Sequence, residues 1–302
     1  MHLGNARTFL LTWLHARALG AEILLRIDDL DGPRVKGGAA EGALLDLRWL
    51  GLDWDAHLPV LVQSERADVY DGAAERLVAA GLAFPCVCTR SEVEGAASAP
   101  HGPEGPRYPG TCRGRFRTLA EAGAATGRPA ALRFLTPAGD VSFDDLLQGP
   151  QHMDPGAETG DFPIRKANGT AAYQLATVVD DAATGVDLVI RGDDLLPSTA
   201  RQILLQRALG LPTPRHLHLP LVVGEDGRRL AKRHGDTRLA TLRAEGVRPE
   251  AVVAWIARSA GLAGAGEEPS ARDLVPRYDP ARLPRDRVVL RSDAFRGGAP
   301  PV

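Results

Sequence analysis

The sequence predicts an α/β fold built on a parallel sheet and interrupted by a small insertion. Three observations carry this. Helical apolar periods alternate with short apolar strands over residues 6–81. The alternation breaks over 85–130, which holds all three cysteines, many Gly and Pro, and few apolar runs. It resumes near residue 161. The expected division is a first half of the main domain over 1–83, an insertion over 84–150, a second half over 151–262 and a tail over 263–302.

Each element has its own reason. Residues 6–19 place Ala6, Phe9, Leu10, Trp13, Leu14 and Arg17 at helical spacing, and Gly20 stops the helix. The pattern reads as amphipathic, with Asn5 a good N-cap. Residues 21–27 read as a buried strand. Helices are expected over 37–50 and 64–81. Residues 171–179 are apolar, and 186–191 read as a central strand. Ser198 is the expected cap of a helix running to about 209. Another apolar run covers 216–223. Helices are expected over 237–245 and 249–260, the second with Pro249 in its first turn. The tail is rich in Pro, Arg and Asp, with one strand-like piece at 287–290.

Composition excludes several classes. The chain has 302 residues, 44% hydrophobic and 25% charged, ordinary for a folded globular protein. No apolar run approaches the ~18 residues that span a membrane. Asn5, Arg7 and Arg17 around the first apolar stretch argue against a signal peptide, so the chain reads as cytoplasmic. A net charge of −2 gives no global nucleic-acid signal, so an RNA surface would be a local basic patch. Of 36 basic residues only Lys36, Lys166 and Lys232 are lysine. A lysine is a compact point charge suited to phosphate oxygens, which singles out Lys232.

Two stretches carry phosphate chemistry. His2, Gly4 and Asn5 open a helix, whose N-terminal N–H groups and dipole attract anions. Gly4 would let a nucleotide approach the backbone, and His2 and Asn5 would donate to phosphate oxygens. Residues 224–238 form a Gly-rich loop with Arg228, Arg229, Lys232, Arg233 and Arg238. Cations on a mobile loop can close over a triphosphate. Elsewhere, Asp28, Asp29 and Asp31 follow a strand, where open α/β sheets bind ligands. Cys86, Cys88 and Cys112 argue for a metal over a disulfide. Zinc takes four ligands, and the fourth is Tyr108, His101 or water.

Taken together, residues 2–7, 26–34, 173–181, 189–202 and 229–233 resemble the glutamyl-tRNA synthetase group of class I aminoacyl-tRNA synthetases. The resemblance runs from residue 1 to about 262. It implies a Rossmann-like catalytic domain with a zinc-containing, acceptor-binding insertion. It places His2, Gly4 and Asn5 on the first ATP signature, and Arg229, Leu230 and Lys232 on the second. His2, Asn5 and Lys232 are the implied catalytic residues. Asp28, Tyr173 and Arg191 fall on positions that bind glutamate, and Cys86, Cys88, Tyr108 and Cys112 on a zinc site. ATP with Mg2+ is the implied co-substrate.

Members of the group with an anticodon-reading helical domain are longer; this chain ends about 70 residues after Lys232. It therefore looks like the group's truncated paralogues, which esterify glutamate to the queuosine base at the wobble position of tRNA(Asp). That implies L-glutamate and queuosine-bearing tRNA(Asp) as partners, no membrane, and a monomer. Three side chains depart from the pattern: Asp28 stands for Glu, Ala231 for Ser and Arg229 for Lys. The family's first strand, which precedes the first signature, has no counterpart before Met1. The fold is therefore expected without its first strand. Two other readings stay open: a piece of an enzyme charging tRNA(Glu), and a non-catalytic RNA-binding relic.

Overall fold

The computed structural model describes residues 1–30, 37–96, 106–228, 230, 237–291 and 293–295. Eleven helices and eleven strands are assigned among them. The helices are α1 Leu3–Leu19, α2 Ala39–Trp49, α3 Ala67–Ala79, α4 Arg90–Ala96, α5 Leu119–Thr126, α6 Pro155–Glu158, α7 Tyr173–Ala183, α8 Leu196–Leu209, α9 Leu239–Ala244, α10 Pro249–Ser259 and α11 Ala271–Leu274. The strands are β1 Arg26–Ile27, β2 Leu61–Val62, β3 Ala83–Cys86, β4 Ala131–Phe134, β5 Val141–Asp145, β6 Gly149–Met153, β7 Pro163–Arg165, β8 Leu188–Gly192, β9 Arg215–Leu219, β10 Val222–Val223 and β11 Val288–Val289. No described helix is long and apolar enough to cross a membrane.

The parallel character is real but distributed. The largest sheet has the order β6-β5-β9-β8, with β5, β9 and β8 parallel and β6 antiparallel to β5. Two short parallel pairs, β1-β2 and β10-β11, flank it in sequence. A separate antiparallel sheet, β3-β4-β7, carries the cysteine region. Strand β8 was expected to be central. Among the described residues it stands at the end of its sheet, next to β9 alone. Helix α1 packs against it, which explains the apolar run that made it look central.

Strand pairing crosses the boundaries expected at 84 and 150. Residues 141–153 join the main sheet, because Leu146 N–H bonds to His216 O at 2.8 Å and Asp145 Oδ1 accepts from the Leu147 and Gln148 N–H groups. Residues 163–165 instead close the sheet of β3 and β4.

Helix α1 buries Leu3, Ala6, Arg7, Leu10, Leu11, Trp13, Leu14 and His15 on one side and exposes Asn5, Phe9 and Leu19 on the other. The buried side includes the charged Arg7 and the imidazole of His15, so polarity and burial do not divide cleanly along it. It packs with β9, α10 and the tail residues Leu274, Leu283 and Leu290. The tail is thus part of this core, and β11 pairs with β10. Burying each such Leu contributes roughly 2 kcal/mol before entropy is counted. A second core lies around α3, α7 and α8, and a third around Phe84, Tyr108 and Phe116.

Two expected caps moved. His2, not Asn5, is the N-cap of α1: its Nδ1 accepts from Asn5 N–H at 3.3 Å. Ser198 does not cap α8. The helix starts earlier, with Pro197 in its first turn, and Ser198 Oγ accepts from Gln174 and Arg201 instead.

Candidate functional site

The start of α1 and the ends of the 224–238 stretch meet. Leu3 N–H donates to Thr237 O at 2.9 Å, Leu239 N–H donates to Met1 O at 2.9 Å, and His2 bridges Arg238. At the other end, a methyl group on Gly4 would come within 3.8 Å of Val222 Cβ. The chain leaves β10 through a turn in which Gly224 N–H bonds to Arg228 O and Gly227 adopts φ +71°. Both ends of the basic loop therefore adjoin the helix N-terminus, where N–H groups and dipole favour phosphate. Leu230 packs on the core containing α1. Arg229 and Lys232 lie outside the described residues, as do Arg34 and His101.

Gly4 has a local reason beyond nucleotide access. A Cβ there would stand 3.1 Å from His2 Cε1 and 3.2 Å from its Nδ1. The His2 ring lies close over Gly4, and any added Cβ would push it back by a few tenths of an ångström.

A second cluster forms at the carboxyl end of β8. Arg191 is buried. Its Nε donates to His218 Nε2 at 3.0 Å, NH1 to Tyr173 Oη at 3.4 Å, and NH2 to Thr199 Oγ1 at 2.7 Å and Leu195 O at 3.3 Å. Tyr173 opens α7 and is 39% exposed, so it forms the open edge of the cluster while Arg191 and its support are buried. Burial holds the Arg191 pKa below its ordinary value, with Tyr173 and Asp181 acting in the opposite sense. A buried guanidinium beside an exposed phenol suits a carboxylate.

Asp28 is held from below. Arg26 donates to it through Nε at 2.6 Å and NH2 at 3.3 Å, and to Asp181 through NH1 at 2.6 Å. Asp180, fully buried, accepts from Gln63, Arg66 and Tyr70 at 2.8–3.0 Å. Burial keeps the Asp181 carboxyl above its usual range, although Arg26 and Arg191 pull it down. Asp29, read as part of the acidic turn, is used structurally: it accepts from Ser64 N–H and Oγ–H. Lys166 donates to Leu30 O at 3.0 Å and ties down the same segment.

The third cluster is Cys86, Cys88 and Cys112, whose Sγ atoms lie within 4.8 Å of one another. Cys88 and Cys112 are 3.6 Å apart. For Zn–S near 2.3 Å, a tetrahedron places sulfurs ~3.8 Å apart, so the spacing fits zinc. Tyr108 Oη lies 3.4 Å from Cys86 Sγ and 4.0 Å from Cys88 Sγ, and accepts from Cys112 N–H at 2.9 Å. It is aimed at the same centre. Gly160 makes this possible: a Cβ there would come within 2.7 Å of Tyr108 O. Burial and the neighbouring Cys86 push the Cys88 thiol up to about 12. A divalent cation would reverse that.

Sequence reasoning missed Arg133, His218 and Asp145. Arg133 Nε donates to Cys86 Sγ at 3.2 Å, and its guanidinium carbon stands 4.0 Å over the Tyr108 ring. It offsets negative charge on this ligand set. No spacing signal marks it; Arg is simply this chain's default cation. The alternation His216-Leu217-His218-Leu219 was a usable signal, since it puts both imidazoles on one strand face.

Comparisons with known proteins identify the family. The family described as tRNA synthetases class I (E and Q), catalytic domain, matches residues 1–278. A glutamyl-Q tRNA(Asp) synthetase from Symbiobacterium thermophilum is 50% identical, covering 99% of this chain and 95% of that protein. One from Nocardia farcinica is 49% identical, covering 98% and 91%. Among solved structures, a glutamate tRNA ligase from Elizabethkingia meningosepticum superposes with a TM-score of 0.80 at 26% identity. That match covers 98% of this chain but 65% of the ligase.

Proposed function

This chain belongs to the class I tRNA synthetase (E and Q) catalytic-domain family, and from that premise we infer that it activates L-glutamate with ATP and transfers it to the queuosine base at the wobble position of tRNA(Asp). One observation carries the choice of acceptor. Relatives named glutamyl-Q tRNA(Asp) synthetase are 50% and 49% identical over 99% and 98% of this chain, whereas the solved glutamate tRNA ligase is 26% identical.

The geometry supports the following chemistry. The substrate carboxylate is already ionised when it attacks the α-phosphorus of ATP, so no general base is required. Pyrophosphate leaves and a glutamyl-adenylate forms. Positioning and charge stabilisation suffice. His2 and Asn5 at the head of α1 hold phosphate oxygens, with Gly4 giving access. Arg229, Leu230 and Lys232 fall in the stretch between the described residues 228 and 237 that flank this helix, and we assign Lys232 to offset charge on the leaving pyrophosphate, with Mg2+ accompanying ATP. Arg191 and Tyr173 receive a glutamate carboxylate, and Asp28 the α-ammonium. Transfer then replaces AMP by a hydroxyl of the queuosine base.

Zinc held by Cys86, Cys88, Tyr108 and Cys112 acts structurally. It closes a region with a small core, within the insertion over 84–150 that we assign to RNA contact.

The test is glutamate-dependent ATP–pyrophosphate exchange without tRNA. Exchange with glutamate and not with aspartate or glutamine supports the assignment. Exchange that appears only when tRNA(Glu) is added would favour a piece of a tRNA(Glu)-charging enzyme.

A further inference from the structure

Among the described residues, Arg191 does not meet a carboxylate directly. It meets a neutral ring backed by one. His218 Nε2 lies 3.0 Å from Arg191 Nε and 3.2 Å from Thr199 Oγ1, and His218 Nδ1 lies 2.6 Å from Asp145 Oδ2. A guanidinium nitrogen only donates, so Nε2 must carry the lone pair. The ring proton is therefore on Nδ1 and is donated to Asp145. The carboxylate is fixed in turn by N–H groups of Leu147 at 3.0 Å, Gln148 at 2.8 Å and His218 itself at 3.1 Å. The Asp145 and His218 side chains are both fully enclosed. His216 lies parallel beside His218, with ring centroids 5.9 Å apart and planes 8° apart.

The consequence concerns the guanidinium fork. An Asp placed against Arg191 would take two of its donors and neutralise its charge locally. A neutral imidazole takes the Nε–H alone. Of five N–H donors, four are used: by His218, Tyr173, Thr199 and Leu195. The remaining one is on NH1, beside the Tyr173 hydroxyl. The cation is thereby oriented but not cancelled.

We propose that His218, locked as its Nδ1–H tautomer by Asp145, is a positioning residue that aims Arg191 at the substrate carboxylate and so sets the enzyme's affinity for an acidic amino acid. This rests on the reading that Arg191 receives that carboxylate. His218 touches no substrate; it acts through Arg191. The two amide replacements separate its halves. Gln places an acceptor oxygen near the Nε2 position and can still receive Arg191 Nε–H. Asn reaches only the Nδ1 position and leaves Arg191 without its acceptor.

The experiment measures pyrophosphate exchange for His218→Asn, His218→Gln and Arg191→Ala, varying glutamate and ATP separately, with Tm for each. His218→Asn should raise the glutamate KM about tenfold or more, the scale of a hydrogen bond to a charged group. The ATP KM should stay within about twofold, and His218→Gln should recover most of the loss. Equal damage from Asn and Gln, or equal shifts in both KM values, would mean simple core filling and would overturn the proposal. If Arg191→Ala raises the glutamate KM and His218→Asn does not, the positioning role fails alone. If Arg191→Ala leaves that KM unchanged, the underlying reading of Arg191 fails, and this proposal with it. Should the variants not fold, 15N spectra of imidazole-labelled parent protein decide. An Nδ1–H neutral ring at His218 is expected, and an Nε2–H ring would overturn the proposal.

Discussion

Replacing Gly4 by Ala tests whether the head of α1 handles ATP or merely starts a helix. The new methyl would stand 3.1 Å and 3.2 Å from two ring atoms of His2. Ordinary carbon contacts lie near ~3.5 Å or beyond. The ring must retreat by a few tenths of an ångström, and its 3.3 Å bond from Asn5 N–H is already long. Losing that cap costs about 1 kcal/mol. Ala for Gly in a helix returns up to about 1 kcal/mol, less at the second position. Stability should therefore change by under ~1 kcal/mol, a Tm shift of a few degrees at most. Activity should not be spared. A displaced His2 that no longer meets a phosphate oxygen forfeits a charged hydrogen bond of about 1.5–3 kcal/mol, or roughly 10- to 100-fold in kcat/KM for ATP. The assay is pyrophosphate exchange with ATP varied at saturating glutamate, alongside thermal unfolding. A kcat/KM for ATP within about twofold of the parent would refute the reasoning. So would a stability loss large enough to account for the lost activity.

Other perturbations probe other parts. Asp180→Ala strands Tyr70 Oη, Gln63 Nε2 and Arg66 Nε around a buried gap, and should cost about 3–5 kcal/mol by urea unfolding; a loss under ~1 kcal/mol would contradict the network. Burial, then the charge of Arg191, holds His216 down at about 3, against ~6.5 in the unfolded chain. The unfolded state therefore binds the extra proton as pH falls below ~6.5, and stability present above that pH is lost on acidification, by roughly 2 kcal/mol at pH 5. His218 is lowered by burial and contributes with the same sign. Unfolding at pH 7.5 and 5 should show a flatter dependence in His216→Gln than in the parent; equal slopes would contradict this. Metal analysis should find about one zinc per chain, lost in Cys112→Ser with a lowered Tm. Metal-free protein melting at the parent's temperature would defeat the cysteine reading.

The sequence was most legible where one residue type dominates a constraint. Cysteine spacing pointed to the cluster that the structure brings within bonding range of one centre, because few roles other than metal or disulfide bring thiols together. Helical periods located α2, α3, α9 and α10 to within a few residues, because their apolar faces are one-sided. Helix α1 departs from its period on both sides: Phe9, placed on the apolar face, is exposed, while Arg7 and His15 are buried, Arg7 donating to Pro220 O and Ser259 Oγ. The cap of α1 was misread because cap preferences rank Asn above His, while here the imidazole Nδ1 is already in place. Strand β8 looked central on composition alone, and which strand neighbours which is long-range information. The Arg191–His218–Asp145 chain spans three strands, with 73 residues between Asp145 and His218, so no local pattern reveals it. What remained visible was chemical: Arg191 at a strand's carboxyl end and Tyr173 upstream of it, which the fold places 3.4 Å apart.

The most direct test of the account is transfer of labelled glutamate. The chain is incubated with ATP and glutamate, and with tRNA(Asp) carrying queuosine, tRNA(Asp) lacking it, or tRNA(Glu). The account predicts stable label only on queuosine-bearing tRNA(Asp), released by mild alkali and located in the anticodon fragment after nuclease digestion. Label at the 3′ end of tRNA(Glu), or none on any tRNA despite active adenylation, would contradict it.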